Sequence, residues 1–217
     1  MKIPISEIFC SIQWEWRNTW KPSIFVRFWW CNLKCTWCDS KYSWDPKVEK
    51  ATIMELDEVI KIIKSFKSKH IIFTWWEPTL YQKEIEAIIE ELDDDYTYEL
   101  ETNWSKQLSD YLEIAIDQVN ISPKLKNSWN NAYKIYIPVN DKVDLKFVAW
   151  NLQDLVEIKE IIDDIKDNNV IDWIYIMPLW TDEKSQVNKA VLDYCIKNWY
   201  NYCMRSHIIL FGDKKGV

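Results

Sequence analysis

Apolar positions along the chain fall into two alternating periods. Ser23–Trp29, Lys69–Thr74, Tyr96–Glu101, Gln118–Ser122, Val143–Ala149 and Trp173–Met177 are short runs rich in β-branched and aromatic residues, and they predict buried strands. Between them apolar residues recur at helical spacing. Ile53, Leu56, Ile60 and Ile63 follow Thr52, a predicted N-cap; Ile85, Ile88, Ile89 and Leu92 form a second stripe, and Leu155, Ile158, Ile161, Ile162 and Ile165 a third. Strand–helix alternation predicts an α/β protein with a mainly parallel sheet. Six strands are too few for a closed eight-stranded barrel, so the expected architecture is an open partial (β/α) barrel. No Pro/Gly/Ser-rich linker interrupts the 217 residues, which predicts one domain over 1–217. Ligands of such sheets gather at the C-terminal ends of the strands.

The loop after the run Ser23–Trp29 carries the candidate chemistry. Cys31, Cys35 and Cys38 stand at CxxxCxxC spacing with no fourth cysteine nearby. Three thiolates can hold three corners of an iron–sulfur cube and leave the fourth iron open. A structural zinc site normally closes its tetrahedron with a fourth Cys or His. Since His70, His207, Cys10, Cys195 and Cys203 could approach in space, zinc stays as the alternative. Isolated cysteines such as these last three are more often small buried hydrophobes.

The spacing resembles that of the radical S-adenosylmethionine superfamily. Ser11-Ile12-Gln13-x-Glu15, Pro22-Ser23-Ile24-Phe25-Val26-Arg27, Cys38-Asp39-Ser40, Thr74-x-x-Glu77-Pro78, Glu101-Thr102-Asn103 and Ser122-Pro123-Lys124 narrow the resemblance to the 7-carboxy-7-deazaguanine synthase family, from about Pro4 to the C-terminus. That likeness implies a partial barrel of the radical SAM type and a lyase. Its cofactors would be a [4Fe–4S] cluster on Cys31, Cys35 and Cys38, S-adenosylmethionine and Mg2+. The unique iron would bind the amino and carboxylate groups of S-adenosylmethionine, whose cleavage yields a 5′-deoxyadenosyl radical. The implied reaction is ring contraction of 6-carboxy-5,6,7,8-tetrahydropterin to 7-carboxy-7-deazaguanine with loss of ammonia, on the route to queuosine.

Residue by residue, the resemblance places Ile12, Gln13, Trp14, Glu15, Arg27 and Thr74 against the substrate. Thr36, Trp37, Asp39, Trp76, Ser122, Pro123 and Lys124 would contact S-adenosylmethionine, and Ser40 would ligate Mg2+. The side-chain chemistry agrees. Arg27 offers a bidentate fork for a carboxylate, with a structural ion pair as the bland alternative. Gln13 and Glu15 can read an amide-like donor–acceptor edge, and a hydroxyl suits a hard cation. His207 is expected on the substrate side without a catalytic role.

The chain departs from the family systematically. It has 15 Trp and 2 Gly, whereas ordinary proteins carry roughly 7 % Gly. Trp14, Trp16, Trp30, Trp75, Trp76 and Trp104 stand where the resembled family has glycine, and Trp20, Trp129, Trp150, Trp180 and Trp199 lie in turn-like contexts. Trp29, Trp37, Trp44 and Trp173 read as authentic tryptophans beside strands or in the cysteine loop. Glycine serves where φ is positive or where backbone must approach a ligand, so an indole at Trp76 is expected to intrude on the cosubstrate.

A formal charge of −7 argues against a nucleic-acid surface. The N-terminus lacks an apolar signal core and no apolar run reaches the length of a membrane span, so a cytoplasmic protein with reduced thiols is expected. The resemblance implies a pterin substrate, an electron donor such as flavodoxin or ferredoxin, and a homodimer. Two other classes remain. An activase of another protein shares the three cysteines but has no need of Gln13, Glu15 and Arg27 together; an inert metal-binding scaffold would follow if the tryptophans block the site.

Overall fold

The computed structural model describes residues 1–38, 50–75, 77–130, 141–166, 173–179, 182, 184–212, 214 and 216. Asp39, Ser40, Trp44, Trp76 and Trp180 lie outside the described residues. Among those described, the strands are β1 (Lys2–Ile12), β2 (Pro22–Phe28), β3 (Thr52–Glu55), β4 (His70–Thr74), β5 (Thr97–Thr102), β6 (Gln118–Ile121), β7 (Val143–Ala149), β8 (Trp173–Pro178) and β9 (Asn201–Tyr202). The helices are α1 (Leu56–Ser65), α2 (Gln82–Glu90), α3 (Asp110–Ala115), α4 (Leu152–Lys166), α5 (Lys189–Asn198) and α6 (Ser206–Phe211). All nine strands join one open sheet in the order β3-β1-β2-β4-β5-β6-β7-β8-β9. From β2 to β9 every pairing is parallel; β1 runs antiparallel to both β2 and β3. The fold is α/β with a mainly parallel, open sheet, as the strand–helix alternation predicts.

Three differences from the sequence expectation have physical causes. Thr52 does not cap a helix: Thr52–Glu55 pairs with Lys2–Ile5 as β3, and α1 starts at Leu56 behind a capping box made by Glu55 and Glu58. The eleven-residue β1 escapes a period reading because Pro4 argues against an interior strand and the register shifts between Ile5 and Glu7. The cysteine loop therefore follows the second strand. Finally, β9 is only two residues long, below what a periodicity can register.

Side-chain alternation divides the sheet into two unlike faces. Ile24, Val26 and Phe28 of β2, Ile71 and Phe73 of β4, Tyr98 and Leu100 of β5, Val119 and Ile121 of β6, Val143, Leu145 and Phe147 of β7, and Ile174 and Ile176 of β8 share one apolar core with the helices. The intervening residues point the other way. They include buried Ser23 and Arg27, His70 and Thr74, Glu99, Gln118 and Asn120, and Asp144 and Lys146. A parallel sheet covered by apolar layers on both faces reads as unbroken hydrophobic runs. Here the second face is buried but mixed, with these polar groups set among smaller apolar clusters that include Phe25, Ile72, Val148 and Met177, and the buried polar groups mark it as the functional one.

The backbone separates the tryptophans into two classes. Every described non-glycine residue with positive φ is a tryptophan: Trp16 (69°), Trp20 (77°), Trp30 (95°), Trp75 (72°), Trp104 (59°), Trp129 (60°) and Trp199 (58°). Trp29, Trp37 and Trp173, expected to be authentic, have ordinary φ, and so do Trp14 and Trp150, whose motif and turn contexts match those of the seven. Trp199 is 95 % exposed and ends α5 in the left-handed conformation, with Tyr200 N–H closing on the Cys195 carbonyl at 3.0 Å. Glycine is the usual residue there because a Cβ is penalised. A bulky residue held in such a region costs roughly 1–3 kcal/mol. Seven such costs approach the whole net stability of a domain, about 5–15 kcal/mol.

Candidate active site

The C-terminal ends of β2, β4 and β5 and the loop after β1 converge on one buried polar cluster. Gln13 is buried in that loop, its backbone tied to Lys21 and Trp20 at 2.8 Å each. Its Nε2 donates to Glu99 Oε1 at 2.5 Å and to Glu101 Oε1 at 3.0 Å. Thr74 lies opposite Arg27 in register and its hydroxyl donates to Glu101. Glu15 pairs with Lys146 of β7, and Arg17 pairs with buried Asp144. Burial works against the Lys146 ammonium, but the Glu15 carboxylate outweighs it and raises the pKa. Gln13, Glu15, Arg27 and Thr74 are thus brought together, while Ile12 is the half-buried last residue of β1.

Arg27 does make the ion pair of the bland reading. Its Nη1 donates to Glu7 Oε2 at 2.6 Å, the residue directly across in β1. Three rings surround the guanidinium: Phe9 at 4.6 Å, Trp14 at 5.7 Å and Trp75 at 3.3 Å. Trp14 also stacks on Phe25 at 4.5 Å and touches His207 of α6 at 4.9 Å, which brings the C-terminal helix to the same cluster. The Nε1 atoms of Trp14 and Trp16 are buried without a hydrogen-bond partner among the described residues.

The cysteine loop lies beside this cluster. Cys35 is buried, and its Sγ accepts from Asn130 Nδ2 at 3.1 Å; Cys31 Sγ accepts from Leu33 N–H at 3.3 Å. Burial pushes the Cys31 thiol up to about 11, so cluster binding must displace a proton there. Lys124 donates to Ser122 at 2.9 Å, and burial lowers its pKa against the pull of the three nearby thiols. Trp37 fixes its indole N–H on Asn127, at 3.1 Å from the carbonyl and 3.0 Å from Oδ1. Thr36 and Trp37, with Asn127, Asp154 and Leu179, line an open cleft of about 780 Å³. Pro123 is buried, and Ser122 N–H donates to the Thr102 carbonyl at 2.8 Å. Among the described residues no three Cys, His, Asp or Glu converge on a single-ion site. Thiolates on one short loop with N–H donors to sulfur, and no fourth ligand beside them among the described residues, suit a cluster whose cysteines bind separate irons better than they suit zinc.

Several buried polar groups carry no motif and escaped the sequence reading as site residues: Glu99, Asn120, Asp144 and Lys146. Their signal is alternation inside strands, as in Glu99-Leu100-Glu101 and Asp144-Leu145-Lys146, where polar residues recur in segments buried on both faces. Glu77 caps the short turn Pro78–Tyr81 by accepting from Thr79 N–H at 3.1 Å, and also accepts from Thr102 Oγ1 at 2.5 Å and Asn103 N–H at 2.7 Å. Glu77-Pro78 thus ends β4 and starts the following turn, with the carboxylate also bridging to β5.

Glu99 and His70 set a pH dependence. Burial, with the neighbouring Glu101 carboxylate, raises Glu99 from 4.5 to about 8, while burial lowers His70 from 6.5 to about 4. Their 3.4 Å contact therefore joins a protonated carboxyl to a neutral imidazole at neutral pH and is not an ion pair. Folded Glu99 retains a proton that the unfolded chain releases, so its contribution is complete below 4.5 and lost as pH rises to 8. His70 acts oppositely between 4 and 6.5, and the two slopes offset each other there. From pH 6.5 to 8 His70 no longer contributes, and the share of Glu99 alone is expected to fall by about 2 kcal/mol, with buried Glu77 and Glu101, raised in the same direction, adding to the decline. Urea unfolding at the two pH values measures the decline; an equal decline in Glu99→Gln would remove Glu99 as its source.

The profile of the Radical SAM superfamily matches residues 27–127. A 7-carboxy-7-deazaguanine synthase of Buchnera aphidicola is 31 % identical over 92 % of this chain and 94 % of its own length. A Pyrobaculum aerophilum protein of the same name is 26 % identical over 99 % of this chain and 97 % of its own. The crystal structure of QueE from Escherichia coli shares the fold, with a TM-score of 0.71 at 18 % identity over 95 % of each chain. Among the described residues no helix is long and apolar enough to cross a membrane. The three-thiol loop and its buried polar face thus sit in a chain that belongs to the 7-carboxy-7-deazaguanine synthase family.

Proposed function

We infer that the protein is a 7-carboxy-7-deazaguanine synthase, a radical SAM lyase that contracts 6-carboxy-5,6,7,8-tetrahydropterin to 7-carboxy-7-deazaguanine with loss of ammonia. The observation that carries this reading is the buried cluster of Gln13, Glu15, Arg27 and Thr74 beside the loop of Cys31, Cys35 and Cys38. When bound, a [4Fe–4S] cluster and S-adenosylmethionine supply the one-electron cleavage and hydrogen abstraction. The three cysteines would hold the cluster; Thr36, Trp37, Asp39, Ser122, Pro123, Lys124 and the backbone at 76 would hold S-adenosylmethionine. Ile12, Gln13, Glu15, Arg27, Thr74 and the backbone at 14 orient the pterin. Ser40 would ligate Mg2+. A flavodoxin or ferredoxin would deliver the electron, and the protein would work in the cytoplasm as a homodimer. Anaerobic turnover of the carboxylated tetrahydropterin, followed by mass analysis of the product, tests the reading; recovery of unchanged pterin alongside cleaved S-adenosylmethionine would favour an activase.

Two variants probe the substrate side. Arg27→Ala is expected to weaken substrate binding by roughly 2–5 kcal/mol, the range for truncating a buried charged pair. Unchanged substrate affinity would leave Arg27 as the structural partner of Glu7. Ser40→Ala should lower Mg2+-dependent turnover while the iron content holds. Loss of iron together with activity would move Ser40 to a structural role in the cysteine loop.

A further inference from the structure

The left-handed tryptophans are one population with one property. Asn and Asp are the non-glycine residues that most often visit positive φ, yet none does so among the described residues; only tryptophan does, seven times. The chain's two glycines fall in the same class, Gly212 at 61° and Gly216 at 67°. Trp199 and Trp129 occupy the cap positions after α5 and after the turn Lys126–Ser128, as Gly212 does after α6. The remaining described tryptophans of ordinary φ include well-integrated ones: Trp37 has its indole N–H bonded to Asn127, and Trp173 stacks on Tyr175 at 6.3 Å with Arg17 over its ring at 5.4 Å.

Within the active site the left-handed indoles cover the groups that should face a ligand. Trp75 lies 3.3 Å from the Arg27 guanidinium, and Trp16 lies 4.2 Å from Lys146 Nζ. Trp16 is buried with its Nε1 unpartnered among the described residues, a poor environment for an indole that normally finds an acceptor. Conformation and local chemistry therefore agree that these positions are built for a residue without a side chain.

We propose that Trp16, Trp20, Trp30, Trp75, Trp104, Trp129 and Trp199 are glycine in the protein as its source cell makes it, because their codon is read there as glycine. UGA has this latitude: genetic codes assign it to termination, tryptophan or glycine, and it differs from the glycine codon GGA by one base. UGG encodes tryptophan. The left-handed class then corresponds to UGA, whereas Trp37 and Trp173, whose side chains are integrated, correspond to UGG, and the native site is open above Arg27 and Lys146.

The test is tandem mass spectrometry of the protein purified from its source cell, read beside the gene. Peptides spanning the seven positions should carry glycine and their codons should be UGA; peptides spanning Trp37 and Trp173 should carry tryptophan from UGG. Tryptophan at any of the seven in the native protein, or UGG at all of them, overturns the proposal.

Discussion

In the chain carrying glycine at the seven left-handed positions and at positions 14 and 76, replacing Cys35 by Ala is expected to abolish the iron–sulfur cluster and all turnover. The parent should bind about four iron atoms per chain after anaerobic reconstitution. Cys35 is buried in the loop after β2 and its Sγ is already oriented by Asn130 at 3.1 Å. Only three thiolates are near, so losing one leaves two irons of the cube without protein ligands: the substituted corner and the open one. Cys10 is the control, since it is exposed on β1 opposite Ile24 and away from the loop. Cys10→Ala should retain iron and activity. Iron and sulfide assays with the visible absorption band read the outcome, and equal iron loss in both variants would refute the ligand assignment.

The second large effect is on stability. Trp20, Trp30, Trp129 and Trp199 are exposed, so their replacement by glycine relieves positive-φ strain with little loss of packing. At about 1–2 kcal/mol for each left-handed residue, the quadruple variant should gain about 4–8 kcal/mol over the tryptophan chain. Trp16 and Trp104 are buried, and there the same relief competes with a lost apolar side chain. Trp173→Gly should do the reverse of the quadruple change, because Trp173 has ordinary φ and contacts Tyr175 and Arg17. Thermal and urea unfolding of the three chains decide this. A quadruple variant no more stable than its parent would show that the left-handed indoles are accommodated without strain.

Much of the molecule is written locally. Runs such as His70-Ile71-Ile72-Phe73-Thr74 and Val143–Ala149 form strands within a residue or two of their expected bounds, because buried parallel strands concentrate β-branched residues between turns. CxxxCxxC is legible for the same reason: its ligands share one short loop, so spacing alone carries the chemistry. The tryptophans, too, showed their backbone role in advance through turn context and the shortage of glycine, and the dihedral angles agree at seven positions. The exceptions are instructive. Trp14 and Trp150 have ordinary φ, so a motif or a turn context at those positions did not imply a left-handed backbone.

Only the tertiary structure decided which distant residues share the polar face. Gln13 meets Glu99 and Glu101, and Glu15 meets Lys146, across separations that no local period encodes. Strand order put β1 beside β2 and so placed Glu7 against Arg27, turning a predicted carboxylate ligand into one already held by an ion pair. Period and spacing are set by covalent geometry over a few residues, and a sequence displays them directly. Registry between strands and the pKa shifts of Glu99 and His70 arise from burial and pairing between segments far apart in the chain, and these exist only once the sheet has formed.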